Sequence, residues 1–148
     1  MNRRDLNREF WTKLLARIKG ESRYFQINKY STRHWIVSGK TGIPGIAYCL
    51  ALITDKITVE LSLKSRNQQI NKERFDELEA YKEQIQSAFG GKLSWERMEN
   101  KIMSRIAYAE DNSGIYDVDG WDKKIDWLIT NLTKLEKALD EPLQQLKM

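Results

Sequence analysis

The sequence predicts an α+β fold, a single domain over residues 1–148 in which helices cover one antiparallel sheet. Three observations carry this expectation. Ile57, Val59, Leu61 and Leu63 alternate with Thr58, Glu60, Ser62 and Lys64, the period of two that belongs to a strand. Segments near both ends of the chain repeat apolar residues at helical spacing instead. Neighbouring apolar runs are separated by tight turn signals, and strands joined that tightly must pair antiparallel. At 148 residues the chain is long enough to bury one sizeable core, and its 41% hydrophobic and 31% charged content is that of a globular protein.

Each element follows from its local chemistry. Leu6, Phe10, Leu14, Leu15 and Ile18 form one stripe, predicting an amphipathic helix from about Asp5 to Lys19 closed by Gly20. Glu21 to Arg33 is read as loop or irregular edge. His34 to Lys40 reads as a short strand, turned by Gly39, Gly42 and Pro44-Gly45. Ile46 to Ile53 is almost wholly apolar and suits a central strand. Thr54-Asp55-Lys56 makes the turn into the alternating strand, whose polar face is expected to be wet. Asn71 is expected to cap a second helix whose stripe is Phe75, Leu78, Tyr81, Ile85 and Phe89, stopped by Gly90-Gly91. Leu93 and Trp95 start a strand, paired through a Glu99-Asn100 turn with Ile102, Ser104, Ile106 and Tyr108. Asp119 is expected to cap a last helix carrying Trp121, Ile125, Leu128, Leu132, Leu135 and Leu139, with Asp122 in the capping-box position and Pro142 as its end. The predicted order is α-β-β-β-α-β-β-α.

Composition and spacing exclude several kinds of chemistry. With one Cys and one His, the sequence offers neither a disulfide framework nor a Cys/His zinc site, and no metal or other cofactor is expected. The N-terminus lacks the apolar core of a secretory signal, and no apolar run is long enough to span a bilayer, so a cytoplasmic protein without a membrane partner is expected. Ser38-Gly39-Lys40-Thr41 ends like a phosphate-binding loop, yet His34 stands where its first glycine belongs, and Gly42-Ile-Pro-Gly45 cannot open the helix that follows such a loop. Asp117, Asp119, Gly120 and Asp122 have the wrong spacing for a calcium loop. Cys49 lies in the most apolar strand, where a thiol behaves as an inert hydrophobe, and no nucleophile motif accompanies His34. No catalytic residue is therefore assigned.

The net charge of +4 conceals an uneven distribution: residues 1–40 carry +7, and residues 76–148 carry −5. A basic first quarter points to an anionic partner. Within it, Arg23, Lys29, Tyr30, Arg33, His34 and Lys40 mix cations with rings, the combination that neutralises phosphates and stacks on unpaired bases. Arg97, Lys101 and Arg105 form a second candidate group across the predicted hairpin, with Glu96 and Glu99 to balance them. The alternative is a divergent metal-dependent nuclease using Asp55, Glu60 and Lys64, although the carboxylate-to-lysine spacing departs by two residues from the restriction-type pattern.

Several motifs add a family likeness. Phe10-Trp11, Phe75-Asp-Glu-Leu78 with Lys82, Leu93-Ser-Trp95-Glu96-Arg97, Lys101-Ile-Met-Ser104-Arg105-Ile106 and Trp127-Leu128 resemble the prokaryotic family of domain of unknown function 4268, over residues 6–146. The Trp-Glu-Arg and Ser-Arg-Ile pieces are the most specific. The resemblance supplies no activity, cofactor or catalytic residue. It implies work on nucleic acid, linked to restriction or defence, because members also form the C-terminal part of longer proteins with nuclease-like N-terminal regions. The expectation is a non-catalytic module whose partner is DNA, RNA or a nuclease-like protein. A protein-interaction domain, with a second copy of this chain as partner, is the remaining alternative.

Overall fold

The structure, a computed structural model, describes residues 1–25 and 30–146. Helix α1 (Arg3–Ile18) begins two residues before the predicted start because Asn2 caps it, its side-chain oxygen accepting the Asp5 N–H at 2.9 Å. Its apolar stripe, including Phe10, Trp11 and Leu14, is fully buried. Strands β1 (Trp35–Val37), β2 (Ile46–Leu52) and β3 (Lys56–Leu63) form an antiparallel meander. Two helices follow, α2 (Gln68–Glu79) and α3 (Lys82–Phe89), then β4 (Ser94–Glu96) and β5 (Ser104–Asp111). A 3-10 turn at Val118–Gly120 leads into α4 (Trp121–Gln144). The five strands are ordered β1-β2-β3-β5-β4 and every neighbouring pair is antiparallel. The fold is α+β, as the alternation and turn signals predict. Among the described residues no helix is long and apolar enough to cross a membrane.

Four local expectations are corrected. The second helix is two helices: the chain bends at Ala80-Tyr81, so that Phe75 and Leu78 on α2 and Ile85 and Phe89 on α3 are all buried, while Tyr81 is left 42% exposed. Asn67, and not Asn71, caps α2 by accepting the Ile70 N–H at 3.1 Å. Asn71 is wholly buried instead, its amide donating to the carbonyls of Ser65 and Ile102 and its oxygen accepting from the Ser65 N–H and hydroxyl. Asp119 makes no cap, because the 3-10 turn places Gly120 at that position; Pro142 lies inside α4, in its last turn.

The sheet has two unlike faces. Tyr48, Leu50 and Leu52 of β2, Ile57 to Leu63 at alternate positions of β3, and Ile106 of β5 point into the core with the helices. The opposite face is built mostly from small side chains. One row across it reads Val37, Cys49, Glu60, Ala107 and Ser94; the next reads Ala47, Ser62, Arg105 and Glu96. The expected wet face of β3 is therefore corrected as well. Glu60 and Ser62 are only 9% and 4% exposed, because the neighbouring strands flank them on both sides.

Candidate functional site

The small residues of the opposite face floor a hollow of about 560 Å³, lined among the described residues by strand and loop side chains and by no helical one. Its centre is an ion triad. Arg105 bonds the Glu96 carboxylate through Nε and Nη2 at 2.9 and 2.8 Å, and its Nη1 lies 3.5 Å from Glu60 Oε2. That Oε2 atom is buried, with Arg105 as its nearest charged neighbour among the described residues, and the Cys49 thiol on the adjoining strand also acts on the Glu60 carboxylate. Burial raises the Glu60 pKa above its ordinary value, against the pull of the Arg105 guanidinium. Cys49, directly across from Glu60, is held as a thiol: burial and the neighbouring carboxylate push its pKa up to about 12. It is no nucleophile at neutral pH.

The turn beside this face is held by a buried lysine. Lys72 Nζ donates to the carbonyls of Arg97, Met98 and Met103 at 2.5, 2.9 and 2.7 Å and to Ser104 Oγ at 2.9 Å. Met98 adopts a φ of 59°, a left-handed conformation that the cluster of bonds around the ammonium holds in place. Nothing in helical periodicity separates Lys72 from a surface lysine, so sequence reasoning overlooked it. The motif residues that carry the family likeness meet here. Arg97 grips Asp76 through Nε and Nη2 at 2.9 and 3.0 Å, Phe75 packs edge-on against Trp95, and Ser104 Oγ donates to Arg97 O at 2.7 Å.

The sequence-predicted cations other than Arg33 divide into three groups. Arg23, Arg97 and Arg105 are held by carboxylates: Arg23 pairs with Asp140 of α4 at 2.6 Å, Arg97 with Asp76 of α2 and with Glu99, and Arg105 with Glu96 of β4. Lys40 and Lys101 are exposed in separate loops, Lys40 on the rim of a second hollow formed by Val37 to Ala47 with Lys64. Lys29 lies outside the described residues.

Tyr30, Arg33 and His34 are brought together with residues of α1 that the sequence reading did not select. The α1 side chains Asn7 and Trp11 donate to the carbonyls of Thr32 and Arg33 at 3.1 and 2.9 Å, which pins residues 32–33 along that helix. Arg8 then lies over the Tyr30 ring, 5.7 Å from its centroid, and Arg33 over the Trp35 ring at 5.1 Å. His34 packs edge-on against Trp35, and burial, Arg3 and Arg33 together lower its pKa, so the imidazole is neutral at pH 7. Among the described residues neither Arg8 nor Arg33 forms an ion pair. The amphipathic spacing of Arg3 and Arg8 places both on the polar side of α1, but only the docking of residues 30–35 shows which way that side faces.

The alternative carboxylate set is not assembled. Asp55 sits in the β2–β3 turn, five residues and roughly 16 Å along the strand from Glu60, and only Glu60 and Lys64 line the hollow. Among the described residues no group of three potential ligands surrounds a metal-sized position.

Comparison with known families agrees with the motifs. A family model described as Domain of unknown function (DUF4268) matches residues 6–143, almost the whole chain. The chain belongs to this family. No curated protein and no solved structure matches it. The DUF4268 match thus places the Trp-Glu-Arg and Ser-Arg-Ile motifs in one family domain with α1 and α4, and assigns none of them a role.

Proposed function

We propose that this DUF4268 chain is a non-catalytic nucleic-acid-binding module that takes single strands through the patch formed by Arg3, Arg8, Tyr30, Arg33, His34 and Trp35. The observation that carries the reading is the pair of guanidinium-over-ring contacts, Arg8 on Tyr30 and Arg33 on Trp35, at the junction of α1 and β1. Phosphates recruit such guanidiniums, and an exposed ring offers a stacking surface to an unpaired base. Tyr30 is 58% exposed and available for that contact. The acidic C-terminal half does not cancel this charge: its pairing with the basic quarter uses Lys13, Arg17 and Arg23, which meet Asp122, Asp126 and Asp140 of α4.

The test is fluorescence anisotropy with a labelled twelve-nucleotide single strand between low and moderate salt. Three phosphate contacts predict a slope of about −2 in log affinity against log salt. Arg8→Ala and Arg33→Ala should each flatten it by roughly 0.7, and Tyr30→Ala should weaken binding by roughly 5- to 100-fold. Absence of binding at low salt would refute the proposal.

A further inference from the structure

Two guanidiniums and an imidazole gather at the start of α1 with no carboxylate paired to them. Asn7 and Trp11 of α1 donate to the carbonyls of Thr32 and Arg33, which sets residues 32–34 against one face of the helix. Arg3 stands one turn before Asn7 on that face and is half-buried. The Arg33 guanidinium lies over the Trp35 ring at 5.1 Å, and the His34 imidazole packs edge-on against the same ring, 4.5 Å between centroids. Burial and the charges of Arg3 and Arg33 all act on His34, so the three side chains share one electrostatic site. Among the described residues neither guanidinium, of Arg3 or of Arg33, makes an ion pair or donates a hydrogen bond.

This arrangement works against the fold. Like charges brought together repel, and a half-buried guanidinium without a carboxylate is left with its desolvation uncompensated. Arg3 also lies in the first turn of a sixteen-residue helix, where the helix dipole disfavours a cation. Other cations of the basic quarter are neutralised: Lys13, Arg17 and Arg23 meet aspartates of α4. A cluster left open beside neutralised ones is complementary to an anion from outside the chain. A phosphodiester inside a strand brings a single negative charge, whereas a phosphomonoester carries about −1.5 to −2 and presents three strong acceptor oxygens. Two guanidiniums and an imidazole match that group in charge and in donors.

We infer that Arg3, Arg33 and His34 hold the terminal phosphomonoester of a bound single strand, the guanidiniums and the imidazole donating to its oxygens. This rests on the proposed single-strand binding at the same patch and specifies which strands it takes, those with a phosphorylated end. Arg8 stands five residues further along α1, about 7.5 Å, and lies over the Tyr30 ring, so the nucleotides next to the end run toward that ring. The two arginines of α1 thus serve different parts of the strand, Arg3 its end and Arg8 its interior.

The experiment compares, by anisotropy, internally labelled twelve-nucleotide oligothymidylates that carry a phosphate at the 5′ end, at the 3′ end or at neither. A phosphorylated end should raise affinity about tenfold, the effect of one charge-assisted hydrogen bond, and steepen the salt slope by roughly 0.7. The end that does so fixes the polarity of the bound strand. Arg3→Gln and His34→Ala should each cut this ratio to about threefold or less. Arg8→Gln should weaken all three strands and leave the ratio unchanged, which separates a local contact from general charge. Arg3→Gln should melt no lower than the wild-type chain, because it removes a cation from the first turn of α1; a fall of more than about 4 °C would show that Arg3 is engaged inside the fold and would overturn the inference. Equal affinities for phosphorylated and hydroxyl-ended strands, or a ratio that survives Arg3→Gln or falls as far with Arg8→Gln, would also overturn it, while binding of the hydroxyl-ended strand kept the patch reading intact. Absence of binding by all three strands would remove the patch reading and the inference together. Inorganic phosphate or thymidine monophosphate competing as well as the phosphorylated strand at equal concentration would overturn assignment to a strand end in favour of a free phosphate site.

Discussion

Replacing Lys72 by methionine tests how the β4–β5 region is held. The substitution keeps most of the buried stem and removes an ammonium that donates to four oxygens at 2.5–2.9 Å. Bonds to a charged donor contribute about 1.5–3 kcal/mol each, but the full sum does not apply. Arg97 O keeps the Ser104 hydroxyl and Met98 O keeps the Lys101 N–H, so those two acceptors lose only one of two partners. Releasing the ammonium from its buried site also recovers part of its desolvation cost. The net loss expected is about 3 kcal/mol, which for a domain of this size lowers the melting temperature by about 6–12 °C. Calorimetry or thermal circular dichroism at pH 7 reads this directly. Lys101→Met, an exposed neighbour in the same turn, should change stability by less than about 0.5 kcal/mol. If Lys72→Met melted within about 2 °C of the wild-type chain, the ammonium would not be holding the turn, and the reasoning from bond geometry would fail.

Two further outcomes follow from the ionisable groups around the same face. The Arg97 guanidinium, through its hydrogen bonds, holds the Asp76 carboxyl below its ordinary value of 3.8. A depressed carboxylate contributes stability above its unfolded pKa and loses it as pH falls through the folded one. Arg97→Gln should therefore lower the melting temperature at pH 7, with the difference from wild type shrinking below pH 3.8; a difference independent of pH would refute the pairing. Cys49, with its thiol pushed up to about 12, should resist iodoacetamide at pH 8 in the folded chain and react once denatured. Rapid alkylation without unfolding would show that the trough exposes the sulfur.

Much of the fold was legible because strand alternation and helical stripes are local properties. The four corners of the β3 pattern, Ile57, Val59, Leu61 and Leu63, are all in the core, and the stripe of α4 is buried from Trp121 to Leu139. The boundary errors share a cause. Asn71 has the composition of a cap, yet its burial depends on the carbonyl of Ile102, thirty-one residues away. Tyr81 fits a continuous stripe, and only the competing demands of the sheet on α2 and of α4 on α3 decide that the helix bends there. The candidate site was legible in part: Tyr30, Arg33 and His34 do gather, but Arg3 and Arg8 join them only because Asn7 and Trp11 bind residues 32–33 to α1.

What periodicity and turn chemistry could settle were the α+β class and the inward face of the long strands and of the first and last helices. The tertiary structure decided which charges are spent and which are free. Arg17 and Arg23 meet Asp126 and Asp140 across separations of 109 and 117 residues, and Arg105 is shared between Glu96 and Glu60 on two different strands. Counting charges along a chain cannot anticipate such pairs, because their energy depends on distance and burial in three dimensions. The same is true of Glu60. Alternation puts it on the polar side of its strand, but whether that side meets water, a helix or an unfilled hollow is a property of the sheet as assembled.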